Sequence, residues 1–136
     1  MTYNLLVDFA NSFFILYKKM PTLEVFCNVD QSKLTPQLTA KAVDVVANAL
    51  GKPKNYVCAV FVHSLMNFGG DSGPSAIVHL SSIGKIDRDT NKKTSAKLSD
   101  FFVKELGVDE KRLYINFHDL EKSNVGYMRT TFAELM

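Results

Sequence analysis

Two cysteines, three histidines, one glycine-rich segment and a proline behind a methionine are the features of this chain whose types and spacing could do chemistry. Cys27 and Cys58 stand far apart, with no Cys-x-x-Cys, whereas a zinc site needs more ligands at closer spacing. Both lie in apolar, strand-like runs, so free buried thiols are expected, which fits a reducing compartment. His63, His79 and His118 are scattered and share no helix turn, so the expectation is structural histidine and no metal site. Asn67 to Pro74 is rich in glycine but lacks the strand-to-helix context and the Gly-Lys-Ser/Thr ending of a phosphate loop, which makes it a plain connection. Met20-Pro21 would be a natural start of translation. Proline is small enough for the initiator methionine to be trimmed, leaving Pro21 as the first residue.

The chain of 136 residues can build one domain with a real core. Hydrophobic residues at 46% and charged residues at 22% describe an ordinary globular composition. A net charge of +2 with dispersed lysines argues against a nucleic-acid partner. Lys92-Lys93 reads as a solvated helix face. Met1 to Met20 differ from the rest. Phe13 to Tyr17 is apolar, but Asp8 and Asn11 interrupt the stretch and no basic residue precedes it, so it is a poor secretory signal. It is also too short and too polar to span a membrane. Three readings stay open: upstream sequence joined to the true start at Met20, an unusual targeting leader, or a retained extension. The domain proper then runs over 21–136.

From Pro21 the elements follow a regular order. Thr22 to Val29 is β-branched and apolar and predicts a strand. Asp30 to Ser32 is turn and cap chemistry. From Lys33, the positions Leu34, Leu38, Ala42, Val45, Val46, Ala49 and Leu50 predict a helix that Gly51 ends. Tyr56 to Val62 predicts a second strand. The sequence then repeats itself: a strand over Ser75 to Ile83, a polar connection over Gly84 to Thr90, a helix carrying Ala96, Leu98, Phe101, Phe102, Val103 and Leu106, Gly107 to end it, and a strand over Leu113 to His118. Such duplication predicts two pseudo-symmetric βαβ halves. Right-handed crossovers put both helices on one face of a four-stranded sheet, an α+β fold whose open edges invite oligomerisation. The tail from Glu121 to Met136 is expected to add a short strand or to pair with a neighbouring subunit. On the residues alone, Lys52 is a lysine beyond a helix end, where its charge suits the dipole. Pro21 starts a strand, and Tyr114 and Asn116 share one face of another.

The order of short motifs says more. From Pro21 to Phe132 the chain resembles the macrophage migration inhibitory factor family, nearer to that factor than to its relative D-dopachrome tautomerase. The resemblance is carried by Met20-Pro21, Gly51-Lys52-Pro53 with Tyr56, and Met66-Asn67-Phe68-Gly69-Gly70 with Pro74. It continues through Ser82-Ile83-Gly84-Lys85-Ile86, Arg112 to Phe117, Val125-Gly126-Tyr127 and Thr131-Phe132. It implies a homotrimer, no cofactor, and keto–enol tautomerisation of phenylpyruvate- and dopachrome-type substrates by an N-terminal proline, here Pro21, acting as base. By the same resemblance Lys52 would meet a substrate carboxylate, Ile83 would offer backbone contacts, and Tyr56 would line the mouth. Tyr127 and Phe132, with Leu23, would supply apolar surroundings, and Tyr114 and Asn116 would come from the neighbouring subunit. The alternative implied is a leaderless, cytokine-like trimer, cytoplasmic or secreted, that binds a cell-surface receptor and keeps the pocket as structure. Hydrolytic dehalogenation is disfavoured: that chemistry is expected to need arginines around the site, and of Arg88, Arg112 and Arg129 only the last lies near the terminal segment. The chain departs from the pattern at Ser75-Ala76-Ile77-Val78, where Cys-x-x-Cys is familiar, so thiol–disulfide oxidoreduction does not carry over. Gln31 replaces a basic residue tied to receptor mimicry, and Tyr127 replaces tryptophan.

Overall fold

A computed structural model of the chain describes residues 20–135; the readings of the first nineteen residues as leader or extension fall outside the described residues. Strand β1 (Pro21–Cys27) leads through a short 3-10 turn into helix α1 (Pro36–Leu50), which returns to β2 (Cys58–His63). A long connection reaches β3 (Ala76–Ser82), followed by helix α2 (Arg88–Leu106) and β4 (Leu113–Asp119). The strands form one sheet in the order β2-β1-β3-β4. Pairing is parallel within each βαβ half and antiparallel between β1 and β3, where the halves meet. The duplication expected from the sequence is thus the architecture observed.

Local chemistry sets the helix ends. Helix α1 starts at Pro36 rather than at Lys33, because Thr35 Oγ1 accepts a hydrogen bond from the Leu38 amide and Pro36 suits the first helical turn. Lys33 belongs to the preceding 3-10 turn. Gly51 closes α1 at φ 62° and Gly107 closes α2 at φ 68°, left-handed positions that cost glycine little. At the head of α2, Asp87 accepts from the Thr90 amide. The predicted start of the second strand at Tyr56 gives way to a 3-10 turn over Lys54–Tyr56, and the strand begins at Cys58.

The four strands of the main sheet alternate over most of their length. Leu23, Val25 and Cys27 of β1 and Ala76, Val78 and Leu80 of β3 are buried toward the helices, with Leu38, Ala42, Val46 and Leu50 from α1 and Leu98, Phe102 and Leu106 from α2. Burying each large side chain contributes roughly 1.5–3 kcal/mol. The opposite face carries no helix. Glu24, Cys58, Val60, Val62, Tyr114, Asn116 and His118 are exposed there, and β2 and β4 are open edges. This overturns one expectation: Cys58 is exposed, because its neighbours Ala59 and Phe61 take the core side of β2. Both thiols are free, and the register places Cys58 beside Thr22 while Cys27 lies beside His63.

The tail folds on itself. A small hairpin pairs β5 (Gly126–Tyr127) with β6 (Thr130–Thr131) and runs into the short helix α3 (Phe132–Leu135). The connection over Asn67–Pro74 is held by Arg112, whose guanidinium donates to the carbonyls of Phe68, Asp71, Gly73 and Pro74. Its ring neighbour Phe68 lies 5.5 Å away and the Asp71 carboxylate 3.6 Å away. That segment is therefore a pinned loop with no phosphate-cradle geometry.

Candidate active site

Pro21 heads β1 and is fully buried, paired across the sheet with Ser82 at the end of β3. Lys52 reaches the same place from the helix layer. Its backbone amide donates to the Ala47 carbonyl, which finishes α1. Its side chain then turns inward instead of following the helix axis into solvent. The ammonium donates to Ser82 Oγ at 2.7 Å and to the Ile83 carbonyl at 2.9 Å. Lys52 is only 5% exposed, so besides standing beyond the helix end it is a buried group with two close acceptors. Ile83 is buried beside it.

The electrostatics are unusual for lysine. Both acceptors are neutral. Burial, reinforced by the positive charge of Lys85 and opposed by Asp119, brings the Lys52 ammonium down from 10.5 to about 8. Loss of hydration disfavours the charged form, and two neutral hydrogen bonds do not replace it fully.

A cleft of about 360 Å³ opens at the same end of the sheet, lined by the neighbours of Pro21 but not by Pro21, Lys52, Ser82 or Ile83 themselves. Met20 and Thr22, the neighbours of Pro21, form one side, and Tyr56, Cys58, Tyr127 and Phe132 form others. The Tyr127 and Phe132 rings stack at 5.1 Å and 8°, an apolar wall supplied by the terminal hairpin and α3. Of the expected site residues, Lys52 and Ile83 meet at the end of the sheet that Pro21 heads, and Tyr56, Tyr127 and Phe132 line the cleft reached through its neighbours Met20 and Thr22. Tyr114 and Asn116 do not join them within one chain. They pair with Ile77 and His79, toward the other end of the sheet, and Tyr114 packs against Phe68 at 5.0 Å.

Several residues escaped sequence reasoning. Ser82 accepts from Lys52 through its hydroxyl and stands opposite Pro21 in the strand register, a meeting that only the tertiary structure shows. His79 and His118, expected to be unrelated, meet on the helix-free face with Nδ1 and Nε2 at 2.9 Å. Their centroids are 5.1 Å apart, about the length of two ring radii plus one hydrogen bond, so the rings meet nearly end to end. One nitrogen must donate and the other accept. Among the described residues no group of three or more His, Cys, Asp or Glu is placed to hold a metal ion, and no helix is long and apolar enough to cross a membrane.

Comparison with known proteins agrees with the geometry. Residues 20–133 match the family model described as macrophage migration inhibitory factor (MIF). The macrophage migration inhibitory factor of Xenopus tropicalis is 39% identical over 115 residues, spanning 84% of this chain and all of that protein. The homolog from Brugia malayi is 36% identical over 116 residues, again over 84% of this chain and all of that one. Among solved structures, the factor from Trichinella spiralis superposes with a TM-score of 0.78 at 32% identity, covering 81% of this chain and 98% of that one. The one from Toxoplasma gondii gives 0.73 at 34% identity, with the same coverage. A duplicated βαβ sheet, a proline at its head and a full-length match to these proteins together mean that the chain belongs to the macrophage migration inhibitory factor family.

Proposed function

We propose that residues 21–136 form a homotrimeric keto–enol tautomerase of phenylpyruvate- and dopachrome-type substrates, with Pro21 as the base once its nitrogen is a free terminus. The observation that carries this reading is the junction of Pro21, Ser82 and Lys52 beside an aromatic cleft. A free α-amino group has a pKa near 7.7–8 (about), and burial pushes such a nitrogen toward its neutral, basic form. Pro21 would take a proton from the carbon next to the substrate carbonyl and return it to oxygen, reversing the steps for ketonisation. A base poised near neutral pH does this best. Lys52 is the buried cation suited to the substrate carboxylate. Tyr56, Tyr127 and Phe132 would hold the aromatic ring, and the Ile83 backbone would border the site. Tyr114 and Asn116 would complete it from a second copy, whose approach the open edges at β2 and β4 permit.

While Met20 is attached, the Pro21 nitrogen is a tertiary amide without a usable lone pair. The decisive experiment measures enolisation of hydroxyphenylpyruvate by protein starting at Pro21, by its Pro21→Gly variant and by the full chain. Activity is expected only in the first. Equal rates for the first two would overturn the proposal.

A second reading follows from family membership itself: a cytokine-like trimer that binds a cell-surface receptor and keeps the pocket as structure. It predicts receptor binding that survives Pro21→Gly. Loss of binding in that variant, with the trimer intact, would count against it.

A further inference from the structure

His79 and His118 lie 39 residues apart in the chain, yet the fold sets their ring nitrogens 2.9 Å from each other. Strands β3 and β4 run parallel, with His79 beside Asn116 and Ser81 beside His118. The two histidines are thus diagonal neighbours on the helix-free face, a separation that ring side chains can span. His79 is half-buried, and the Phe26 ring meets it edge-on at 6.2 Å and 84°, which holds its orientation. His118 is exposed on the edge strand β4. Both line a surface cleft of about 370 Å³, together with Glu24, Phe26, Ser81 and Leu120. Glu24 stands directly opposite His79 in the register of β1 with β3, so it brings a carboxylate to the same cleft.

A metal–imidazole bond is about 2.0–2.1 Å long, so two nitrogens on one ion stand about 2.9 Å apart at a right angle and about 3.3 Å apart at the tetrahedral angle. The observed 2.9 Å matches the first figure. In the hydrogen-bonded pair the two nitrogens face each other; to bind an ion the rings tilt in place until both lone pairs meet at one point in the cleft. The ring that donates the hydrogen bond moves its proton to its other nitrogen, so the pair binds as two neutral imidazoles and no proton is released. We propose that His79 Nδ1 and His118 Nε2 form a two-ligand site for a divalent transition-metal ion of the copper and zinc class, with water in the remaining positions and the Glu24 carboxylate lending negative charge from the facing strand. Two protein ligands accord with the absence of a larger cluster among the described residues. Imidazole nitrogen selects such ions over Mg²⁺ and Ca²⁺, which take oxygen ligands. A second ligand on the same ion raises affinity by about a hundredfold over one alone when the geometry lets both engage. The ion ties the edge strand β4 to β3. None of His79, His118 and Glu24 belongs to the proposed active site, so metal binding is independent of tautomerase activity. Spacing along the chain gives no sign of this site, because strand pairing brings its ligands together.

The test is a titration of the untagged full chain with Zn²⁺, followed by nitrogen-15 NMR of the imidazole rings and by calorimetry, for the wild type, His79→Phe, His118→Phe, Glu24→Gln and His63→Phe. In the wild type the signals of His79 Nδ1 and His118 Nε2 should move together and saturate at one ion per chain, and Mg²⁺ at the same concentration should move neither. His79→Phe and His118→Phe should each weaken binding about a hundredfold. Glu24→Gln should weaken it severalfold. His63→Phe, which removes an exposed histidine at the end of β2, should leave it unchanged. The wild-type spectra decide the matter even where a variant fails to fold. Ring nitrogens that ignore Zn²⁺, that respond equally to Mg²⁺, or that respond one without the other overturn the proposal. Binding that survives in both histidine variants overturns it too, and its loss in Cys58→Ser would then place the ion at the exposed thiol. Unchanged affinity in Glu24→Gln overturns the part given to the carboxylate.

Discussion

Replacing Lys52 with methionine removes a buried charge and leaves Ser82 Oγ and the Ile83 carbonyl without their donor. These effects oppose each other at neutral pH. Relief of the ammonium favours the variant; two orphaned acceptors cost it about 1–3 kcal/mol each. The absolute difference is therefore a poor test, and its change with pH is the good one. In the folded chain Lys52 titrates at about 8, against 10.5 for an ordinary lysine. Between those values the unfolded chain binds the proton and the folded chain does not, so stability rises with pH through that window. Below about pH 7 both states hold the proton and the contribution of this group no longer changes. The gap corresponds to roughly 3 kcal/mol, gained by the wild type and not by the variant. Urea unfolding of both proteins at one chain concentration, at steps from about pH 6.5 to 10.5, measures it, because the remaining titrating groups cancel in the difference. The wild type should gain on Lys52→Met by roughly 3 kcal/mol above pH 8. A difference that stays flat across the window would mean that Lys52 titrates as an ordinary lysine, and the argument from burial would fall with it.

Other expectations follow from separate parts of the molecule. Cys58 is exposed whereas Cys27 is buried with its thiol pushed up by desolvation, so Ellman's reagent should find one fast thiol, which Cys58→Ser removes; two fast thiols in the folded protein would contradict the placement. Arg112 ties four carbonyls of the Phe68–Pro74 segment, and Arg112→Ala should cost about 2–3 kcal/mol and raise hydrogen exchange there. Arg112→Lys should recover little, because an ammonium cannot reproduce the guanidinium fork; full recovery would show that charge alone suffices. The N–H···N bond between His79 and His118 should give an imidazole proton signal that disappears in His118→Phe; persistence in that variant would refute the pairing.

Much of the frame was legible because it depends on neighbours along the chain. Gly51 and Gly107 mark helix ends through their tolerance of positive φ, and the apolar spacing before each glycine marks the buried helix face. The β-branched, apolar run from Thr22 to Val29 marks the first strand, whose core side of Leu23, Val25 and Cys27 the structure then shows. The recurrence of strand, helix, glycine and strand disclosed the two halves, and the order of short motifs disclosed the family. Errors fell at boundaries and where alternation had no anchor. Lys33 lost its helix to the Thr35–Pro36 start, and Cys58 was assigned to the core although its strand has only Ala59 and Phe61 to bury.

What the sequence by itself determined is therefore the set of elements, their duplication and the proline at their head, all encoded in periodicities of two and about 3.6 residues and in the turn residues between them. The tertiary structure alone decided which distant residues meet. Antiparallel register between β1 and β3 sets Ser82 opposite Pro21, and the inward turn after Gly51 brings Lys52 to that serine. Parallel pairing of β3 with β4 joins His79 to His118. The physical reason is that register and burial depend on long-range pairing and on the low dielectric it creates. A one-residue slip would turn the same side chains to the other face, and lysine in water would keep its ordinary charge.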